Sequence, residues 1–378
     1  MLCAGEASGD LHASELIKAL KARDPEACFC FLGGDLMAAA AGVRPAVHYR
    51  DMAYMGFGQV VRHLPDVTRN LDIARRLLDR LRPDVFIPVD YPSFNLRVAS
   101  HAVSLGIPVD YYISPKVWAW KEHRVKAIGR LCRRVLSILP FEVEFYRGHG
   151  MEVDYVGNPS VTEMTRRLAA MPAAAEFRHS HGLPDMPVIA LVPGSRRSEI
   201  ESNLPVMAEA ARVLGTKYQA VVGGAPGIEP EFYKGLTDLP VLYDCTTPLM
   251  AHATVALVTS GTATLECALI GTPQVICYRH TASRITYAVM SRVLKIPYVS
   301  LPNLIADREV VPELLMHKCT PLSVLRHIVP LLPGHEGRAR QIEGYGVIRQ
   351  RLGTADAAAT AAGIIVGDLT PSTPQRPE

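Results

Sequence analysis

Short apolar runs that end in a glycine or an acid alternate along this chain with longer stretches whose apolar residues recur at helical spacing. The clearest run is VFIPVDYPSFN, Val85 to Asn95. Its apolar, Val- and Ile-bearing start predicts a strand buried on both faces of a parallel sheet, ended by Pro92, with Asp90 at the carboxyl end. Open α/β sheets bind ligands outside the carboxyl ends of their strands, which makes Asp90 a candidate for chemistry. An acid in that place also serves as a helix cap, and the residues alone leave both roles open.

Upstream, AGEASGD (Ala4 to Asp10) is a small-residue turn leading into a helical pattern carried by Leu11, Leu16, Ile17, Ala19 and Leu20. Gly5 and Gly9 let backbone approach a ligand, Ser8 or Asp10 is expected to cap the helix, and Glu6 shares the turn. The full GxGxxG spacing is missing, so a dinucleotide site is not implied. Cys28 to Gly34 predicts a second strand and turn, and an apolar stretch from Tyr54 to Val61 precedes a helix over Asp66 to Leu81. Further strands are expected at Ile107 to Ser114, Val135 to Pro140 and Val153 to Pro159. A Pro-, Ala- and polar-rich stretch at about Ser160 to Met186 is the expected link between domains.

The alternation then restarts, with strands at Pro187 to Ser195, Tyr218 to Gly224, Val255 to Gly261 and Pro273 to Tyr278, and a short helix from Thr262 to Gly271. Near the end, Thr354 is expected to cap an alanine-rich helix to about Val366, and the tail from Pro371 is expected to be disordered. Strands alternating with helices in both halves predict an α/β protein of two Rossmann-like, doubly wound domains facing across a cleft. Their expected bounds are 1–160 and 187–345, with 346–378 as a C-terminal helix and tail.

Composition agrees with two cores: 378 residues, 48% hydrophobic and 20% charged. A net charge of +3 makes no case for nucleic acid. Eight cysteines without a CxxC pair read as reduced thiols in a cytoplasmic compartment. Neither a signal peptide nor an apolar run of about 18 residues is present, so no membrane span is expected, while binding to a membrane surface stays open. Only Met1 to Ala4 precede Gly5, and the natural start is expected upstream. One local concentration of charge changes the picture. Between Lys116 and Arg134 stand Lys121, Arg124, Lys126, Arg130 and Arg133, against Glu122 alone, with both tryptophans, Trp118 and Trp120. Such a mixture suits an anionic lipid surface; a solvated helix with Trp in the core is the alternative.

Two glycine turns in the second half have the makings of anion sites. In SGTATLE, Ser260 to Glu266, Gly261 turns the backbone after a strand, Ser260, Thr262 and Thr264 offer hydroxyls beside helix amides, and Glu266 can reach ribose hydroxyls. In PGSRRSE, Pro193 to Glu199, Arg196 follows Ser195 at a strand end and can pair with a departing diphosphate. A Gly-Ser turn before a helix is also an ordinary cap. P-loop, HExxH, GxSxG and metal-ligand spacings are absent from the sequence.

Taken together, these segments closely resemble the lipid-A-disaccharide synthases, glycosyltransferases of two-domain GT-B architecture. The resemblance runs in order through AGEASGD, YMGFGQVV (Tyr54 to Val61), VDYPSFN, YISPKVWAWKEHRVKAI (Tyr112 to Ile128), LPFE (Leu139 to Glu142), LVPGSRRSEI, SGTATLE and YVSLPNLIADREVVPELL (Tyr298 to Leu315), covering nearly the whole chain. It implies an inverting transfer without metal or cofactor. UDP-2,3-diacylglucosamine is joined to 2,3-diacylglucosamine 1-phosphate, giving a β-1′,6 disaccharide and UDP. The family's essential aspartate falls on Asp90, the arginine of its PGSR turn on Arg196, and the SGTATLE turn with Ser195 on the UDP site, which Asn303 and Glu309 are expected to line. Met55, Trp118, Trp120, Lys121, Arg124 and Lys126 fall in segments expected to face acceptor and membrane, on a cytoplasmic enzyme held peripherally at the inner membrane. Nucleic acid is not an expected partner, and a homodimer is left open.

The chain departs from the family in having Ser93 where a second acid is common, and Asn158 where His is common. With no second carboxylate at Ser93, a paired-acid mechanism of the glycosidase kind is disfavoured. Two other readings compete: a GT-B transferase or epimerase using another UDP-sugar, and a nucleotide-sugar binding module without catalysis, against which Asp90 speaks.

Overall fold

The strands of the first half assemble into one seven-stranded parallel sheet in the computed structural model, which describes residues 1–52, 64–120, 122–279 and 297–370. They are β1 (Leu2–Ala4), β2 (Phe31–Gly33), β3 (Val47–His48), β4 (Ile87–Val89), β5 (Asp110–Tyr112), β6 (Arg134–Ser137) and β7 (Asp154–Tyr155), in the order β3-β2-β1-β4-β5-β6-β7. Alternate side chains point to opposite faces. Leu2, Ala4, Ile87 and Val89 join the core beneath the Ala7–Arg23 helix, while Cys3, Leu32 and Phe86 join the one beneath the Leu64–Leu81 and Pro92–Ser104 helices. Burial on both faces explains why the strands read as continuous apolar runs.

The second half forms a six-stranded parallel sheet of β8 (Val188–Val192), β9 (Gln219–Gly223), β10 (Val241–Leu242), β11 (Val255–Val258), β12 (Gln274–Tyr278) and β13 (Glu313–Leu315), ordered β10-β9-β8-β11-β12-β13. Each sheet thus reverses its winding direction once, between β1 and β4 in the first and between β8 and β11 in the second. Those are the switch points where doubly wound sheets leave room for a ligand.

The chain divides into one unit of Met1–Pro159 with the segment from Thr354 onward, and a second of Ser160–Gly353. The stretch expected to be an interdomain link instead holds two helices, Pro159–Ala169 and Ala174–Ser180, and Phe177 of the latter is buried against Val188 and Ala190. The segment expected as 346–378 is likewise split. Helix Glu336–Leu352 lies in the second unit, whereas helix Ala357–Leu369 returns to the first, where Ala357, Ala361, Ala362 and Ile365 pack with Leu16, Ile17 and Leu20. Its cap is Asp356, accepting the Ala359 amide at 2.8 Å, rather than Thr354. Glu336–Leu369 has a window of mean hydropathy 1.2, enough by composition for a membrane span. It is nevertheless two helices of 17 and 13 residues, the second with its apolar face buried in the first unit's core.

Candidate active site

Register places the first candidate. Ala4 pairs with Val89, so Gly5 and Asp90 leave the sheet side by side at the first switch point. Asp90 and Tyr91 then both adopt left-handed backbone, with φ of 45° and 50°. Non-glycine residues there cost of order 1–3 kcal/mol each, so surrounding groups must hold them. The Asp90 amide donates to the Tyr112 carbonyl at 3.2 Å. The Asp90 carbonyl accepts from the Tyr111 hydroxyl at 2.6 Å and from the Asn95 amide at 2.8 Å. Gly5 is needed for a related reason: a Cβ there would stand 2.3 Å from the Tyr91 ring, whose hydroxyl donates to the Met52 carbonyl at 2.8 Å.

This turn excludes Asp90 as the cap of the following helix. Tyr91, not Asp90, holds the N-cap position of the Pro92–Ser104 helix, and no side chain caps it. The Asp90 carboxyl is pushed above its ordinary 3.8 by burial, opposed by the Lys116 ammonium and by a hydrogen bond from the Tyr91 amide. A partly desolvated carboxylate beside a cation can take a proton from a sugar hydroxyl.

The glycine turn after β1 contributes less than expected. Glu6 holds the N-cap position, and Ser8 is exposed in the first helical turn. Asp10 is buried and accepts the amides of Gly34 (2.8 Å), Leu36 (3.1 Å) and Met37 (3.1 Å), so it caps the helix Asp35–Ala41 and not its own. Gly9 is buried with its Cα beside Ala4, a close helix–strand approach.

In the basic segment, Trp118 is anchored rather than free. Its indole donates to Glu142 at 2.9 Å and meets Phe141 edge-on with ring centroids 5.0 Å apart. Arg124 is half-buried and Lys126 exposed. Arg133 and Arg134 are not part of an open basic face: Arg133 pairs with the buried Asp110 at 2.9 Å, and Arg134 with Asp368 at 2.8 Å. Met55, Lys121 and the Trp120 side chain lie outside the described residues.

Glu142 itself escaped the reading of individual residues. Its only signal was its place at the end of LPFE.

In the second unit, Val192 pairs with Val258, and the Thr259 amide donates to the Val192 carbonyl at 2.9 Å, so the two glycine turns emerge together at the second switch point. Ser195 and Arg196 are exposed, the Arg196 side chain at 61%. Their amides are engaged by Glu199. That carboxylate accepts from Ser195 N at 3.0 Å, from Arg196 N at 3.4 Å and from the Arg196 guanidinium at 2.8 Å. Gly194, at φ 126°, makes room for it, since a Cβ would stand 2.6 Å from the Glu199 Cβ.

Across from it, helix Thr262–Ile270 starts at Gly261 with no side-chain cap. Ser260 is half-buried and Thr262 exposed, but Thr264 is turned inward, donating its hydroxyl to the Gly261 carbonyl at 2.7 Å. Thr264 thus shapes the turn and has no proton to offer a phosphate. Glu266 is half-buried, and burial raises its carboxyl above the ordinary 4.5, with Arg167 opposing and Glu163 reinforcing.

Asn303 differs most from expectation. It is fully buried, donates to the Val311 carbonyl (2.8 Å) and Glu313 (2.9 Å), and accepts from the amides of Val310 (2.7 Å) and Val311 (2.9 Å). All its hydrogen-bonding capacity is internal. It therefore shapes the 303–313 segment instead of lining a site, while Glu309 stands exposed on that segment. Among the described residues, no group of three or more His, Cys, Asp or Glu side chains is placed to hold a metal ion.

Comparison with known proteins adds an independent line. Residues 1–359 match the sequence profile of a family described as lipid-A-disaccharide synthetase. The chain is 41% identical over 381 residues to the lipid-A-disaccharide synthase of Myxococcus xanthus, covering 98% of this chain and 97% of that protein. With the enzyme of the same name from Acidobacterium capsulatum it shares 38% identity, covering 95% and 93%. Among solved structures it is similar to a UDP-GlcNAc 2-epimerase from Neisseria meningitidis bound to UDP-GlcNAc, with TM-score 0.60, 12% identity and coverage of 97% and 98%. It is also similar to a calicheamicin glycosyltransferase, with TM-score 0.59, 16% identity and coverage of 99% and 98%. At such identities the structural likeness bears on the fold alone, which is that of the GT-B glycosyltransferases and epimerases.

Proposed function

The chain belongs to the lipid-A-disaccharide synthase family and is a glycosyltransferase of lipid A biosynthesis, and from that premise we propose that Asp90 is its general base and that the turns after β8 and β11 hold the nucleotide. The enzyme joins UDP-2,3-diacylglucosamine to 2,3-diacylglucosamine 1-phosphate. In the proposed mechanism the acceptor's 6-hydroxyl gives its proton to the Asp90 carboxylate as its oxygen attacks the donor's anomeric carbon. The bond from that carbon to the UDP oxygen breaks, and the centre inverts. Arg196 and the uncapped amides of the Thr262–Ile270 helix stabilise the charge that gathers on the diphosphate, and Glu266 accepts hydrogen bonds from the ribose.

One observation carries the base assignment. Asp90 stands at a sheet's switch point on a left-handed turn that Tyr111, Tyr112 and Asn95 hold by hydrogen bonds. The test supplies both acylated substrates to purified enzyme and follows UDP and disaccharide by mass. Asp90→Asn is expected to lower kcat by roughly 10²–10⁴ with UDP-sugar affinity unchanged; retained turnover refutes the assignment. If another UDP-sugar were the donor, the native enzyme would form neither UDP nor disaccharide from these two substrates.

We further propose that the enzyme meets its acylated substrates at an anionic membrane surface on the cytoplasmic side. Support comes from the two acyl-bearing substrates and from the half-buried Arg124 and the exposed Lys126 beside the anchored Trp118. Replacing Arg124 and Lys126 by Glu is expected to weaken binding to vesicles containing phosphatidylglycerol while leaving UDP binding unchanged. Equal vesicle binding by both forms refutes it.

A further inference from the structure

Glu142 takes no part in the mechanism above, yet it is 1% exposed and stands in the first turn of the Pro140–Arg147 helix beside the chemistry of the first unit. Both carboxyl oxygens are engaged, one by the Trp118 indole at 2.9 Å and the other by the Ser137 hydroxyl. Ser137 is in turn fixed by the Leu139 amide at 3.2 Å. One helical turn further along the same helix, the Tyr146 hydroxyl lies 2.8 Å from the Ser114 hydroxyl. The helix therefore grips the segment 114–118 at both ends. That segment follows β5, the neighbour of β4, and the exposed Lys116 lies between its two fixed points. Lys116 is also the cation whose charge is felt by both Asp90 and Glu142.

We infer that Glu142 is a positioning residue for the transfer reaction: with Tyr146 it clasps the 114–118 segment, holds Lys116 toward Asp90, and adjusts the basicity of Asp90 through its own charge. The inference rests on Asp90 being the base. The groups that face Glu142 are Trp118 and Lys116 from the clasped segment, Ser137 from β6, Tyr146 from its own helix and Asp90 from the end of β4. Burial drives its carboxyl up to about 7; the hydrogen bonds from Ser137 and Trp118 and the Lys116 charge favour the ionised form, while Asp90 opposes it. Glu142 thus gains charge as pH passes through neutrality. A new negative charge near Asp90 strengthens that carboxylate as a proton acceptor.

The test measures kcat from about pH 5 to pH 9 with both substrates saturating, for the native enzyme, Glu142→Gln, Trp118→Phe and Asp90→Asn. Glutamine keeps an acceptor for the indole but carries no charge. The native enzyme is expected to show a several-fold rise in kcat centred near pH 7, which Glu142→Gln lacks. Trp118→Phe removes a donor that favours the charged form, so its rise is expected at higher pH. UDP affinity is expected to stay within about twofold throughout, which a general loss of structure would not produce. A rise retained in Glu142→Gln, or unmoved in Trp118→Phe, overturns the inference. Turnover retained in Asp90→Asn would instead overturn the base on which it rests.

Discussion

Changing Tyr111 to Phe asks whether the left-handed turn at Asp90 is held by its surroundings. Tyr111 is fully buried, and its ring packs among Val117, Val125 and Ile128. Phe preserves that packing and removes only the hydroxyl that donates to the Asp90 carbonyl at 2.6 Å. A neutral intramolecular hydrogen bond contributes about 1 kcal/mol net. The carbonyl keeps the Asn95 amide at 2.8 Å, so it is not orphaned and the larger penalty for an unsatisfied buried acceptor does not arise. The expected loss of stability is therefore about 1 kcal/mol, read as a lower urea midpoint at unchanged slope. If the lost clamp lets the turn relax and all of that energy appears in the transition state, kcat falls about fivefold. Steady-state UDP release measures it, with UDP affinity as the control. Asn95→Ala should cost more, because Asn95 also reaches the Cys3 carbonyl at 3.2 Å and ties β1 to the turn. A Tyr111→Phe enzyme that loses 1 kcal/mol and keeps native kcat would show that the clamp stabilises the fold without positioning Asp90.

Three further outcomes follow from the same contacts. Glu199→Gln removes the charge that competes with phosphate at the Ser195 and Arg196 amides, and calorimetry should find UDP bound up to about fivefold tighter, an energy typical of a carboxylate at a helix start; unchanged or weaker binding would refute that competition. For stability against pH, Glu142 has a raised folded value, so the folded protein binds the extra proton and stability declines as pH rises from 4.5 toward 7. Glu142→Gln should then be more stable than the native protein at pH 8, by at most roughly 3 kcal/mol, with the gain vanishing near pH 4.5 in urea unfolding. Asn303→Ala should cost about 3 kcal/mol by stranding the Val310 and Val311 amides; a loss of UDP affinity without loss of stability would mean that Asn303 meets the nucleotide directly.

Much of the fold was legible because it is written locally. An apolar run followed by a breaker marks a strand end, and Asp90, Ser195 with Arg196, and Ser260 with Gly261 all lie just beyond such ends, where the two sheets reverse direction. Side chains that face inward were harder to read. Thr264 looks like a ligand residue in the sequence, since a hydroxyl after a glycine turn has the right chemistry for phosphate, and the family resemblance put Asn303 in the same nucleotide site. Their protons go to the Gly261 carbonyl and to Val311 and Glu313. Glu142 was passed over for the converse reason, because a glutamate in the first turn of a helix ordinarily faces solvent.

Sequence by itself determined the doubly wound α/β class, the positions of the turns at the strand ends and the family. Each follows from spacing between neighbours in the chain or from long matching segments. Tertiary structure alone decided that Asp10 caps a helix beyond β2, that Glu199 occupies the amides of its own turn, that Arg133 and Arg134 are bound by Asp110 and Asp368, and that the last helix returns to the first unit. The physical reason is common to these cases. Periodicity reveals which face of an element is buried, whereas the partner of a buried polar group is supplied by whichever segment folding brings against it.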